Sequence, residues 1–115
     1  MVKSVLAVYH KGLRDWLIQR ISAIIMAVYS LALIAYLICY PNLSYAEWHH
    51  LFAQSWMKVA SLLFIAGLVY HAWIGIWTIF TDYVKPYVLR SILNCLVLLM
   101  LFACFFWGLL ILWSV

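Results

Sequence analysis

Long apolar runs, separated by short zones into which the polar residues collect, make up most of this chain. The runs cover about 17–40, 57–80 and 88–113. Each is longer than the roughly 20 residues that a helix needs to cross a hydrocarbon core of about 30 Å. The first would reach roughly 36 Å as a helix, enough to cross with some tilt. This patterning predicts an all-α integral membrane protein forming a single membrane domain over 1–115. Three transmembrane helices are joined by a polar segment at 1–16, a connection at 41–56 and a tight connection at 81–87.

The connections carry their own stop and start signals. Pro41 and Asn42 end the first run, because proline cannot continue a helix. Ser44-Tyr45-Ala46-Glu47 then has the spacing of a capping box, so a new helix should begin at Ser44, before the second span. Trp48, His49, His50, Phe52 and Trp56 fall where aromatic rings with a polar edge favour a membrane interface. His49 and His50 diverge by about 100° on a helix and read as a solvated pair rather than as joint metal ligands. Asp82, Tyr83, Lys85 and Pro86 form a link too tight for a domain, which makes spans two and three antiparallel neighbours.

Composition removes the soluble alternative. Of 115 residues, 70% are hydrophobic and only 9% charged, which leaves too little polar surface for a water-soluble domain. A cleaved signal peptide fits poorly, since the first run is too long and no small-residue cleavage pattern follows it. The net charge of +4 bears on topology. Lys3, Lys11, Arg14 and Arg20 precede or open span one, Lys85 and Arg90 lie around the second connection, and Lys58 alone stands near the first. By the positive-inside rule the chain is N-in and C-out, with 1–16 and 81–87 cytoplasmic and 41–56 periplasmic. Cys39, Cys95 and Cys104 have no paired or metal-ligand spacing and read as packing residues. No basic tract interleaved with aromatics suggests nucleic-acid binding.

The candidate chemistry centres on 67–83. Ionisable groups deep in a span are costly and usually face a bundle interior, a cofactor or a water path, so His71 is a functional candidate. On a helix, Gly67, His71, Gly75, Thr78 and Asp82 project onto one polar and small-residue stripe, while Trp73 and Trp77 point elsewhere. Gly67 and Gly75 leave a shelf that another helix or a planar ligand can approach closely. A neutral imidazole at this depth can be an axial haem ligand, a relay member or a hydrogen-bonded core histidine. No second mid-span histidine is present, so a six-coordinate haem would need a partner's ligand. Asp82 and Tyr83, about 16 to 18 Å further along, fit a quinone head-group site at the interface or, alternatively, a helix-end carboxylate and a belt tyrosine. Arg20, one turn inside span one, is either a snorkelling cation or one aimed at a carboxylate or a site in the bundle.

His71, Gly75, Asp82 and Tyr83, set in His-Ala-Trp-Ile-Gly-Ile-Trp and Thr-Asp-Tyr-Val-Lys-Pro, resemble the hydrophobic membrane-anchor family of bacterial succinate dehydrogenase. The likeness covers the whole length, including Asp15 to Arg20 and the Leu-Ser-Tyr and Trp48 region. It implies a multi-pass protein of the bacterial inner membrane that is not an enzyme by itself. Partners would be a second, three-span membrane anchor of the same complex, an iron–sulfur subunit and a flavoprotein subunit. It further implies haem b shared with that second anchor, with His71 as axial ligand to the haem iron and Arg20 near the propionates. Ubiquinone would meet Tyr83, with Asp82 beside it. Arg14 departs from the pattern, standing where a histidine is expected before Asp15; a guanidinium can meet a propionate or the soluble subunits but is a poor proton carrier. The rivals are the anchor of a fumarate reductase or haem-free relative, and a small proton-coupled transporter using His71 and Asp82 as a relay.

Overall fold

The computed structural model describes the backbone of residues 2–115 and the side chains of residues 12–115. It is helical between short connections: α1 (Val2–Cys39), α2 (Tyr45–Ala53), α3 (Ser55–Tyr83) and α4 (Tyr87–Ser114). Gly12–Cys39, Ser55–Tyr83 and Tyr87–Ser114 are each long and apolar enough to cross a membrane. Helix α1 runs on from the expected polar segment into the first span without a break. The side chains of Lys3, His10 and Lys11 lie outside the described residues.

Local hydrogen bonds and prolines set the helix boundaries. Tyr40 still donates its amide to the Tyr36 carbonyl at 3.0 Å, and Pro41 then ends α1. At α2 the expected capping box is complete: the Ser44 amide donates to Glu47 Oε2 at 2.8 Å, and the Glu47 amide donates to Ser44 Oγ at 3.2 Å. The helix begun there does not run straight into the second span. Gln54, at φ −67° and ψ 135°, is extended and separates α2 from α3. Its amide donates to the Leu51 carbonyl at 3.3 Å, and its side-chain amide contacts His50 Nε2 at 3.0 Å. At the other end α3 continues through Asp82 and Tyr83, so these residues form its last turn. Val84 closes that turn on the Phe80 carbonyl, and Pro86, which has no amide hydrogen to leave unpaired, opens α4.

Helix α3 is the centre of the arrangement. It packs against α1, α2 and α4. Few described side chains are buried: Met57, Leu101 and Leu112 are the apolar ones, and Ser22 and Ser61 the polar ones. This inverts the soluble pattern for a physical reason. Lipid is as apolar as leucine, so exposed apolar faces need no covering, and the seams between helices go to small and polar residues. The cysteines correct the sequence reading: all three are free and exposed rather than packed inside. A weakly polar thiol gains little from burial when the surrounding solvent is hydrocarbon.

Candidate functional site: the seam of α1 and α3

The two buried serines mark the seam. Tyr29 and Ser61 meet hydroxyl to hydroxyl at 2.7 Å, and the Tyr29 ring stacks on Phe64 with centroids 4.6 Å apart. Further along, Ser22 Oγ lies 3.2 Å from His71 Nδ1 and donates to the Gln19 carbonyl at 3.1 Å. Helix α1 packs against α3 beside Gly67. A Cβ at Gly67 would stand 3.8 Å from the Ser22 carbonyl oxygen and 3.9 Å from its Cα. One end of the expected shelf is therefore occupied by α1 itself. At Gly75 a single side-chain atom among the described residues, Gln19 Nε2 at 3.7 Å, comes within 4 Å of an added Cβ, so that position is more open within the chain.

The expected stripe divides into two halves. Gly67, His71 and Gly75 are half-buried, whereas Thr78 and Asp82 are exposed. Thr78 turns its hydroxyl back to the Ile74 carbonyl at 2.8 Å, a local bond that satisfies it without a neighbour. Trp73 and Trp77 line the wall of a different cleft, of about 360 Å³, with Tyr70 and Ile74 of α3 and Arg14, Asp15 and Ile18 of α1. Arg14 therefore has a defined setting at the start of span one, beside an acidic neighbour and two indole rings.

The remaining candidates stand apart from His71. Tyr83 is 79% exposed, and its hydroxyl has no hydrogen-bond partner among the described residues. Asp82 is exposed as well and forms no ion pair among them; Arg90 lies over the Tyr87 ring at 5.7 Å. Arg20 is exposed, with its guanidinium 5.4 Å from the Trp16 ring centre. Since Ser22 faces α3 and Arg20 is two positions away, about 200° around the helix, Arg20 points away from the seam. The structure joins His71 to Ser22 and leaves Arg20, Asp82 and Tyr83 on outward surfaces.

Ser22, Gln19, Tyr29 and Ser61 carry no weight in the sequence reading. The available signal was a hydroxyl inside an apolar run at helical spacing from the histidine face. Serine inside a lipid-facing helix gives the same pattern, because it can bond its own backbone.

The chain matches the family described as succinate dehydrogenase/fumarate reductase transmembrane subunit over residues 2–110. It is 44% identical to a succinate dehydrogenase hydrophobic membrane anchor subunit from Coxiella burnetii, over 90% of both chains. A protein of the same name from Rickettsia felis is 31% identical, over 76% of this chain and 73% of the relative. Both relatives are named as anchors rather than as catalytic subunits, in line with a chain that is not an enzyme by itself. With its all-helical fold and three apolar helices of spanning length, this multi-pass membrane protein belongs to the succinate dehydrogenase/fumarate reductase transmembrane subunit family.

Proposed function

We propose that the chain is the hydrophobic membrane anchor of a bacterial succinate dehydrogenase, N-in and C-out in the inner membrane. It pairs with a second three-span membrane anchor and carries the iron–sulfur and flavoprotein subunits on the cytoplasmic face. It co-binds haem b through His71 and completes a ubiquinone site with Tyr83 and Asp82.

The observation that carries the reading is the hydrogen-bond state of His71. Its Nδ1 is engaged by Ser22 at mid-seam, which leaves Nε2 available to a group outside the chain. The donor set fits a shared haem. No group of three or more His, Cys, Asp or Glu side chains gathers among the described residues, so a lone imidazole is what this chain offers and another subunit must supply the rest. When bound, haem supplies a one-electron carrier. The chain's own part is to hold one half-buried imidazole in the seam of α1 and α3 through the Ser22 contact. The exposed Tyr83 hydroxyl and Asp82 carboxylate, at the end of α3, suit a pocket completed by neighbouring subunits. Tyr83 would donate to a quinone carbonyl oxygen, and Asp82 beside it would orient or exchange a proton.

A fumarate reductase anchor is the second reading, because the family description spans both enzymes. The names of the two relatives favour the first. A reduced-minus-oxidised absorption spectrum of the complex purified through this chain tests the proposal. A b-type signal lost or altered in His71→Ala is the expected result. An intact complex with no such signal would leave a haem-free anchor.

A further inference from the structure

We infer that Ser22 is a positioning residue for His71, fixing the ring tautomer that presents Nε2 to iron; the inference rests on the haem reading above. A serine hydroxyl has one proton and two lone pairs. Here the proton is directed to the Gln19 carbonyl at 3.1 Å. With that bond in place, the 3.2 Å contact to His71 Nδ1 is a hydrogen bond only if Nδ1 carries the hydrogen and Ser22 Oγ accepts it. A neutral imidazole protonated at Nδ1 has its free lone pair on Nε2. Ser22 is 4% exposed, so water does not compete for the bond.

The backbone is arranged to hold this geometry. Gly67 lies one turn before His71 on α3 and faces the Ser22 backbone, where an added Cβ would stand in ordinary contact, 3.8 Å from the Ser22 carbonyl oxygen. Ser22 is thereby carried to the imidazole by helix packing, not by a mobile side chain. An acceptor on the far nitrogen of a metal-bound imidazole fixes the ring and raises its donor strength. A stronger donor stabilises the ferric over the ferrous state, so the Ser22 bond should hold the haem potential down.

The test uses the complete complex with Ser22→Ala, Ser22→Cys and Ser22→Thr, and reads haem content per flavin and the haem midpoint potential. Removing the acceptor in Ser22→Ala should raise the potential and weaken haem retention by roughly ten- to a hundred-fold. Ser22→Thr keeps an oxygen acceptor and should stay near the parent. The thiol of Ser22→Cys is a weak acceptor and should fall between. If Ser22→Ala fails to assemble, the order of the Cys and Thr variants decides. A purely structural serine would not rank the potentials by acceptor strength. Potentials and retention that are unchanged in Ser22→Ala, or unordered between Cys and Thr, overturn the inference while His71→Ala still abolishes the haem signal. A haem signal unaffected by His71→Ala overturns the underlying reading as well.

Discussion

Tyr29 and Ser61 are joined hydroxyl to hydroxyl at 2.7 Å in the same seam that holds His71, one on α1 and the other on α3. Two polar pairs thus clamp helices that have no hydrophobic drive to associate in lipid. Hydrogen bonds of this kind contribute about 0.6 kcal/mol on average and up to about 1.7. Tyr29→Phe should sit in the upper half of that range, because it leaves Ser61, 3% exposed, without its partner. Ser61→Ala should cost about as much, and the double variant less than the sum of the two. Detergent-induced unfolding of the purified complex reads all three.

The glycines of α3 and α4 differ in what an added methyl group would meet. A Cβ at Gly67 or Gly75 meets nothing closer than 3.7 Å within the chain, so alanine fits at either position. At Gly108 it would stand 2.9 Å from Ile65 Cδ1, and the isoleucine must move. Because Cδ1 is the far end of a flexible side chain, a turn of the Ile65 side chain relieves the contact, and Gly108→Ala should cost the α3–α4 contact less than about 1 kcal/mol. Gly75→Ala should leave the chain's own packing intact. Loss of haem from an intact Gly75→Ala complex would show that the bare backbone there serves a group from outside the chain; full retention would return Gly75 to ordinary helix packing.

The cap of α2 gives a pH prediction. Glu47 accepts from the Ser44 amide at 2.8 Å and from its hydroxyl at 3.0 Å, and these bonds, the backbone one first, hold its carboxyl below the ordinary value of 4.5. A group whose pKa is lowered on folding stabilises fully above its unfolded value and loses that contribution as pH falls through the folded one. The 41–54 region should accordingly become easier to cleave with pepsin as pH drops below about 4.5. Glu47→Gln should start more susceptible and show a flatter dependence. Parallel pH profiles for parent and variant would show that the carboxylate does not hold the cap.

The spans were legible in the sequence because length and hydropathy alone decide what can cross a bilayer. The capping box was legible for the same kind of reason, since Ser44 and Glu47 are close in the chain and need no distant partner. The break at Gln54 was not, because an extended glutamine between two helical stretches leaves no proline or glycine to mark it. Nor was the central place of α3: the stripe through His71 marks one of its faces, but α3 packs against α1, α2 and α4, and the pattern does not say which helix meets which face. His71 stood out through its depth in the span. Its bond to Ser22 spans 49 positions and depends on how α1 packs against α3, which only the assembled helices reveal.

Tyr83 ends α3 with its hydroxyl unengaged among the described residues, so Tyr83→Phe should leave the fold of this chain unchanged. In the proposed complex it removes one hydrogen bond to quinone. A bond worth about 1 kcal/mol corresponds to roughly a five-fold loss of quinone reduction. Succinate oxidation by a soluble artificial acceptor should be unaffected. Equal loss of both activities would mean that the variant disturbs assembly and that Tyr83 does not belong to the quinone site.

Arg20 separates two accounts of a cation in a membrane span. Within the chain its visible partner is Trp16, with the guanidinium 5.4 Å from the ring centre, and at an exposed site such a contact contributes about 0.5 to 1 kcal/mol. It points away from the seam that holds His71, so any haem propionate it met would have to lie on the outer side of α1. If Arg20 holds a propionate, Arg20→Leu should shift the haem spectrum and lower haem retention, because a desolvated carboxylate loses its charge-assisted bond. Arg20→Lys should restore part of both, as a point charge without the planar fork. If Arg20 only snorkels over Trp16, the leucine variant should lose at most about 1 kcal/mol of stability, with the spectrum unchanged.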